Sequence, residues 1–584
     1  MLLGRAAGAQ ESAPDLAQNL KKLSIEELTQ LDITTASRRT EPLSQTPYAV
    51  SVIRGEDIRR AGSMNLAEAL RLADGIVVAR ADNSTWAIST RGFNITTANK
   101  LLVLLDGRTV YSPLFAGTFW SVQDVPLDDI DRIEVIRGPG GAIWGANAVN
   151  GVVNVITKKA ADTKGARVLV AAGTEDRVIT TLQYGGALSQ FDYRVYGKLR
   201  ARDGQVFSDG TDADDPVKYG QAGFRMESRG GGRNAWLLQG DAYGGREGLF
   251  QRPDTHVSGA NLMSRWERRF SPSSAFRAQV YFDHVYRRVY GQVRDVRDTL
   301  DVDLQQHLVA GRHDIVVGGN VRGSKGTDTG NAAFHFDPEA RFTTIAGVFA
   351  QDDISIVPER VAIVVGSKFE RNTFTGVEAQ PNVRLRWTPS AHRTAWGAVS
   401  RSVRLPTRFD TDLRFTNPLT GALTLTGSTS FDGENVTAYE AGYRAELTGR
   451  VSIDLAVYRN VYDDLRSEEF PTAPAQPIVL ANLMNARTWG TEIAGNVSPI
   501  DNWRLHASYG YLHEVVTFDP GSRDLTKGVN EYNDPSHIFT LRSSTDLPRS
   551  FELDALRQVA RAGIEGHDFV QVAVGGVQAP VVDR

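Results

Sequence analysis

From Ala166 onward the chain is written in alternation. In FDYRVYGKL, Phe191, Tyr193, Val195 and Leu199 share one face, and Asp192, Arg194 and Lys198 share the other. In NWRLHASYGYL, Trp503, Leu505, Ala507, Tyr509 and Tyr511 align against Arg504, His506 and Ser508. In VSIDLAVY, Val451, Ile453, Leu455 and Val457 oppose Asp454. A period of two predicts β-strands with one apolar and one polar face. About 19 such segments of roughly 10–14 residues precede residue 556, separated by Gly/Asp/Asn/Pro clusters. A soluble sandwich alternates in the same way. The length and number of the strands and their charged inner faces favour a barrel with one face on lipid and the other on a wet or filled lumen. Tyr281, Trp387, Trp396 and Trp503 fall near segment ends, where interfacial girdles form.

Upstream the texture is different. Tyr48–Ile53 alternates as a strand; Arg54–Ala61 and Leu66–Leu72 read as short helices. Residues 76–80, 86–90, 101–105 and 133–136 read as strands. Residues 129–159, DIDRIEVIRGPGGAIWGANAVNGVVNVITKK, carry an apolar strand (Ile133–Ile136), a Gly-dense turn and a second strand (Val152–Ile156). Gly138-Pro139-Gly140 is not a dinucleotide loop, which needs a helix opening directly after the glycines. AIWGANAVNG follows instead, and then a strand. Residues 45–160 therefore form a mixed α/β unit ahead of the strand-rich region. Before it, residues 10–31 are polar, with one short helical pattern: Ser24 as cap, Glu27 three positions on, and Leu28 and Leu31 on one face. LDITTAS, residues 31–37, is extended and β-branched in type. Ala7-Gly8-Ala9 before Gln10 looks like the small-residue end of a secretory signal, so residues 1–9 read as its remnant.

Composition narrows the function. No run of 18 apolar residues exists, which excludes a helical span but not a barrel, whose apolar band hides in alternate positions. A mean hydropathy of −0.28 fits that alternative. A net charge of −4 offers no basic field for nucleic acid. The absence of cysteine removes disulfides, thiol chemistry and thiolate metal sites. The ten histidines are scattered, with no H-E-x-x-H, and no G-x-S-x-G elbow occurs, so no enzyme is expected. In SDGTDADDPVK, Asp209, Asp212, Asp214 and Asp215 could bind calcium, but EF-hand spacing and its closing Glu are absent.

Three segments in order carry a resemblance: Arg91-Gly92-Phe93, LLVLLDGR at 101–108, and the Gly-dense stretch 129–159. Together they resemble the plug domain of TonB-dependent outer-membrane receptors over roughly residues 45–160. The resemblance implies an antiparallel outer-membrane β-barrel, normally of 22 strands, with an N-terminal mixed α/β plug in its lumen. The barrel would span 166–555. It implies a TonB box in the 10–44 segment, here Asp32, Ile33, Thr34, Thr35 and Ala36, which pairs edge-to-edge with a strand of the energy-transducing partner. It implies a lock of Arg91 and Arg137 against barrel glutamates, matched here by Glu440 in TAYEAGY and Glu492 in TWGTEIAG. Ligand would meet the plug apex, for which Trp86, Tyr111, Phe115, Phe119 and Trp120 are the candidates because their aromatic faces suit a ferric-siderophore-sized ligand; packing in the plug core is the competing reading for each.

The function implied is active uptake of a scarce ligand, a ferric siderophore or similar metal chelate, across the bacterial outer membrane. No cofactor and no structural metal are implied. The expected partners are TonB, outer-membrane lipid and the chelate, with the chain a monomer. Residues 556–584 depart from the family pattern, offering one strand (Phe569–Val574) and ending in Asp583-Arg584 rather than a strand with a terminal aromatic. A frameshift near codon 555, a truncation, or a bend in the family pattern would each account for that tail. A non-functional remnant and a passive porin or adhesin are the competing readings.

Overall fold

The computed structural model describes residues 31–229, 232–473, 476–529, 531, 533–562 and 568–573. The signal remnant, the Ser24–Leu28 helical pattern and the chain's last residues lie outside these.

The plug is built on a five-stranded sheet in the order Ala49–Arg54, Ile130–Arg137, Gly151–Thr157, Leu101–Leu105 and Arg108–Thr109. Leu101–Leu105 runs parallel to Gly151–Thr157; the other neighbours are antiparallel. Leu101–Leu105 and Gly151–Thr157 are nearly continuous apolar runs because both sheet faces are covered. Ile53, Ile133, Val135, Val103 and Val153 pack with Ile58, Leu66, Leu70 and Ile76 from the helices Gly55–Arg60 and Leu66–Ala69, the 3-10 turn Leu70–Leu72 and the strand Ile76–Arg80. Asn65 caps the second helix by accepting from the Glu68 N–H at 2.9 Å. One element differs from expectation. The stretch after the Gly-dense turn opens with a one-turn helix, Gly141–Trp144, before the chain extends again. Ile143 and Trp144 pull it into the interface by packing on Val316 and Phe349 of the barrel.

Around the plug runs a single sheet whose long strands pair antiparallel in chain order. Among the described residues nineteen run from Gly165–Ala171 to Glu552–Ala562, and Asp568–Ala573 adds a twentieth, where the resemblance implies 22 for the whole barrel. The expected boundary at residue 555 is corrected: it falls inside the strand Glu552–Ala562, which pairs along its length with Pro535–Asp546. Leu556 packs against the plug core, so the barrel wall continues past that point.

Connections at one end are tight, as at 189–190, 272–273 and 449–450; at the other they include 203–216, 405–433 and 519–534. Short turns mark the periplasmic end and long loops the extracellular end. Outward positions hold apolar side chains that stay exposed in the isolated chain, such as Leu199, Phe282, Leu300, Val348 and Val383. Inward positions of the wall hold buried Arg194, Lys198, Arg384 and Glu440. The inner charges answer to the plug rather than to water.

Candidate functional site

The interface between plug and barrel is ionic and dry. Arg91 follows the strand Trp86–Thr90 and sits with φ at 59°, in the left-handed region, as does Phe93 at 64°. That backbone is strained for a side-chain-bearing residue, at a cost on the order of 1 kcal/mol or more each. The bend carries the Arg91 guanidinium into the barrel wall. Its Nη1 donates to Glu440 Oε1 at 2.7 Å. Nε and Nη2 donate to the two oxygens of Glu492 at 3.0 and 3.1 Å. Arg137, at the end of its strand, brings Nε to 3.3 Å from Glu492 Oε2 and donates from Nη1 to the Asp74 carbonyl at 2.6 Å. The Arg91 side chain is 1% exposed and those of Glu440 and Glu492 are 1% and 7%.

Two glycines leave room for this cluster. A Cβ on Gly138 (φ +97°) would stand 2.3 Å from Glu440 Oε1, and one on Gly75 (φ +67°) 3.2 Å from Glu492 Oε1. The structure thus brings all four residues singled out by the resemblance into one cluster. It adds a fifth, Arg384, 3.6 Å from Glu440 and stacked 3.6 Å over the Tyr48 ring. Arg91 itself lies 4.3 Å over the Tyr458 ring. Sequence reasoning did not single out Arg384, because its place between Val383 and Leu385 carries no signal of what it meets.

The segment 32–36 is docked under the plug. Asp32–Ile33 pairs antiparallel with Glu41–Pro42. Ile33, Thr35 and Ala36 are buried. The carboxylate of Glu134, itself 0% exposed, accepts from the Thr34 N–H (3.0 Å), the Thr35 N–H (2.7 Å) and the Thr35 hydroxyl (2.5 Å). Trp144 Nε1 donates to the Thr35 carbonyl at 2.8 Å, and Asn154 donates to the Thr35 hydroxyl at 3.1 Å. In this state the segment's backbone is engaged within its own chain.

The five aromatic residues expected at the plug apex do not meet there. Trp86 and Trp120 lie in the plug core, which corrects that expectation. Trp86 starts a strand and is flanked by Arg71 and Arg80 at 5.9 and 5.7 Å. Tyr111 lines a cavity between plug and wall with Tyr281, Arg322, Thr343 and Leu405. Phe115 and Phe119 meet edge-to-face at 4.9 Å. They pack with Leu114 beneath Phe336, Phe409 and Leu413 of the extracellular loops. A one-turn helix, Arg408–Asp412, holds that cover down: the Phe409 N–H donates to the Leu114 carbonyl at 3.1 Å. Arg404 pairs with Asp410 (2.8 Å) and Glu434 (2.6 Å), and Glu434 reaches Lys100 of the plug at 2.9 Å. Sequence reasoning missed this second ionic cluster, since its members come from one plug loop, two strands and the 405–433 loop.

The acidic loop is spent locally. Asp215 accepts from the Asn83 N–H (2.9 Å) and the Gln205 N–H (2.6 Å), tying the loop to the plug. Asp209 and Asp212 accept from the N–H groups of Thr211 and Asp214.

Asp534, just before the strand Pro535–Asp546, accepts from the Asn94 N–H at 2.9 Å. Burial pushes its carboxyl up to about 6, more than hydrogen bonds from Asn94 and Phe93 pull it down. Glu514 lies nearby with both carboxylate oxygens buried and, among the described residues, without a hydrogen-bond partner. A raised folded value means that protonation of Asp534 favours the folded state, because burial there penalises its charge. Its contribution is complete below the ordinary carboxylate range and is lost as pH rises through about 6. Amide exchange at Asn94, corrected for intrinsic rates, is therefore expected to accelerate between pH 5 and 7, and Asp534→Asn to abolish the difference. An unchanged profile in the variant would refute the assignment.

Comparison with known proteins fits this geometry. The family description "TonB-dependent Receptor Plug Domain" matches residues 42–152, and "TonB dependent receptor-like, beta-barrel" matches residues 167–569. The vitamin B12 transporter BtuB of Vibrio vulnificus is 26% identical over 530 residues, covering 85% of this chain and 80% of that one. The ferric enterobactin receptor of Pseudomonas aeruginosa is 31% identical over 220 residues, covering 34% of this chain and 29% of that protein. The crystal structure of the siderophore receptor PirA from Acinetobacter baumannii superposes with a TM-score of 0.71 at 16% identity, covering 92% of this chain and 87% of that one.

Proposed function

The chain belongs to the TonB-dependent receptors of the bacterial outer membrane, a family of ligand-uptake proteins, and on that premise we propose that it actively imports a ferric siderophore or similar metal chelate. The observation that carries the reading is a lumen filled by a plug whose N-terminal segment, Asp32–Ala36, is docked through its backbone, by the short pairing of Asp32–Ile33 and by the Thr34 and Thr35 N–H groups on Glu134. A passive pore gains nothing from such a segment. An energised importer needs one, because parallel backbone hydrogen bonds let a periplasmic partner take up load without specific side chains.

In the cycle proposed, ligand settles on the extracellular loops over Phe115 and Phe119 and is felt by the plug through the 405–433 loop. The segment at Asp32–Ala36 leaves Glu134 and is taken by TonB. Force drawn from the inner-membrane proton gradient then rearranges the plug against the Arg91–Glu440–Glu492 lock. A corrinoid is the second reading for the ligand, favoured by the long match to a vitamin B12 transporter. The test is accumulation of labelled ferric chelates and cobalamin by cells producing the chain. Uptake of one of them that stops when the proton gradient is collapsed supports the proposal; uptake indifferent to the gradient opposes it.

A further inference from the structure

Strand register places five basic residues side by side on the outer wall. Lys218 stands opposite Arg246, Arg246 opposite His256, His256 opposite Arg288, and Arg288 opposite Arg294. They belong to five consecutive strands, Val217–Ser228, Asn234–Leu249, Arg252–Ser271, Ser274–Val289 and Val293–Ala310. Their neighbours along each strand point the other way. Val217, Tyr219, Glu247, Thr255, Val257 and Asp295 are all buried toward the plug. The five therefore face outward, and Lys218, Arg246, Arg288 and Arg294 are exposed. The row is bounded by Ala201 on one side and Thr329 on the other.

The height of the row is readable from the same strands. Trp236 and Trp266, stacked at 5.7 Å, also face outward, at the end with the short turns. Trp236 stands ten residues from Arg246, and Trp266 ten from His256. Ten residues at ~3.4 Å, on a strand tilted by about 40°, rise roughly 26 Å. That matches an apolar band about 25 Å tall. Between the two levels lie the outward apolar positions Phe224, Leu262, Phe282 and Leu300, which share one rung. The basic row thus stands where the hydrocarbon ends and the outer headgroups begin.

Like charges directly opposite each other on a sheet repel. No ion pair joins any of the five to a carboxylate among the described residues. Arg288 lies 4.2 Å over the Tyr290 ring, and Arg294 donates to the Thr329 hydroxyl at 3.2 Å. Acids on the same face are few: Asp254 stands two positions beyond His256, and Asp298 is held by His284 at 2.7 Å. The repulsion calls for an anion that supplies several negative charges at this depth.

We propose that this row is a docking surface for a phosphate-bearing lipid of the outer leaflet. Arginine and lysine would take the headgroup phosphates while the acyl chains lie on the apolar rung below. The test uses the full chain purified in neutral detergent, with diphosphorylated lipid A as probe and its dephosphorylated form as control, binding being read by native mass spectrometry. Wild type is expected to hold the phosphorylated lipid at least tenfold more tightly than the control, with the preference shrinking in molar salt. Replacing Lys218, Arg246, Arg288 and Arg294 together by glutamine is expected to abolish that preference while the unboiled gel mobility stays that of wild type. Equal binding of both lipids by wild type, or a preference that survives the four substitutions in a folded variant, would overturn the proposal. The comparison of the two lipids on wild type stands even if the variant fails to fold.

Discussion

Glu492→Gln is expected to be the most damaging single substitution at the plug–barrel interface, costing about 3–5 kcal/mol of plug docking. The reason is charge balance in a dry site. Three buried guanidiniums, those of Arg91, Arg137 and Arg384, face two carboxylates. Glu492 serves both plug arginines, accepting two hydrogen bonds from Arg91 and lying 3.3 Å from Arg137. Neutralising it takes away the carboxylate that pairs with Arg137 and leaves Arg91 to share Glu440 with Arg384. Glu440→Gln removes only one bond from the plug, and the strand-borne Arg384 bears part of the loss, so its cost is expected to be smaller. Arg91→Ala falls between: three hydrogen bonds vanish, but the remaining charges balance. The order Glu492→Gln, then Arg91→Ala, then Glu440→Gln can be read from the force or denaturant needed to extract the plug. It can also be read from the ionic leak of each variant in planar bilayers. A Glu492→Gln plug that holds as well as wild type would rule out the lock.

Glu134→Ala is the second large effect, on the state of the N-terminal segment rather than on the barrel. One fully buried carboxylate accepts three hydrogen bonds from Thr34 and Thr35 while Arg132 Nε braces it at 2.8 Å. Hydrogen bonds to a charged group contribute about 1.5–3 kcal/mol each and are not additive, so a net loss of roughly 3 kcal/mol is reasonable. That corresponds to amide exchange at Thr34 and Thr35 faster by about a hundredfold, with the plug core unchanged. Ile33, buried and with its own pairing to Glu41, resists full release, which keeps the effect finite. Exchange at wild-type rates in the variant would show that Glu134 does not hold the segment.

Much of the fold was legible because its rules are local. Alternation in FDYRVYGKL and VSIDLAVY names a strand and both of its faces, and the strand read at 569–574 appears at Asp568–Ala573. The plug strands Ile130–Arg137 and Gly151–Thr157 announced themselves as Val- and Ile-rich segments on either side of the Gly-dense turn. What escaped depends on long-range pairing. No local signal says that Arg384 meets a glutamate 56 positions away, or that Lys218 and Arg294 stand on one rung. Trp86 was an apex candidate because it follows the polar Asp82-Asn83-Ser84, and Trp120 because it closes the aromatic segment YSPLFAGTFW; packing with Ile76 and Leu105 decides for the core in both cases. The Gly141–Trp144 turn of helix exists because Ile143 and Trp144 have barrel partners, which propensity alone does not reveal.

The account rests on force delivered through the segment at 32–36. The most direct measurement compares ligand accumulation by energised cells carrying wild type with that by cells carrying Ile33→Pro, at equal surface binding of the same labelled ligand. Proline removes a strand N–H and fixes φ, so pairing with a partner strand should fail while the extracellular site is untouched. Full binding with no accumulation above background is the expected result. Accumulation at the wild-type rate would contradict it and make the barrel a passive pore.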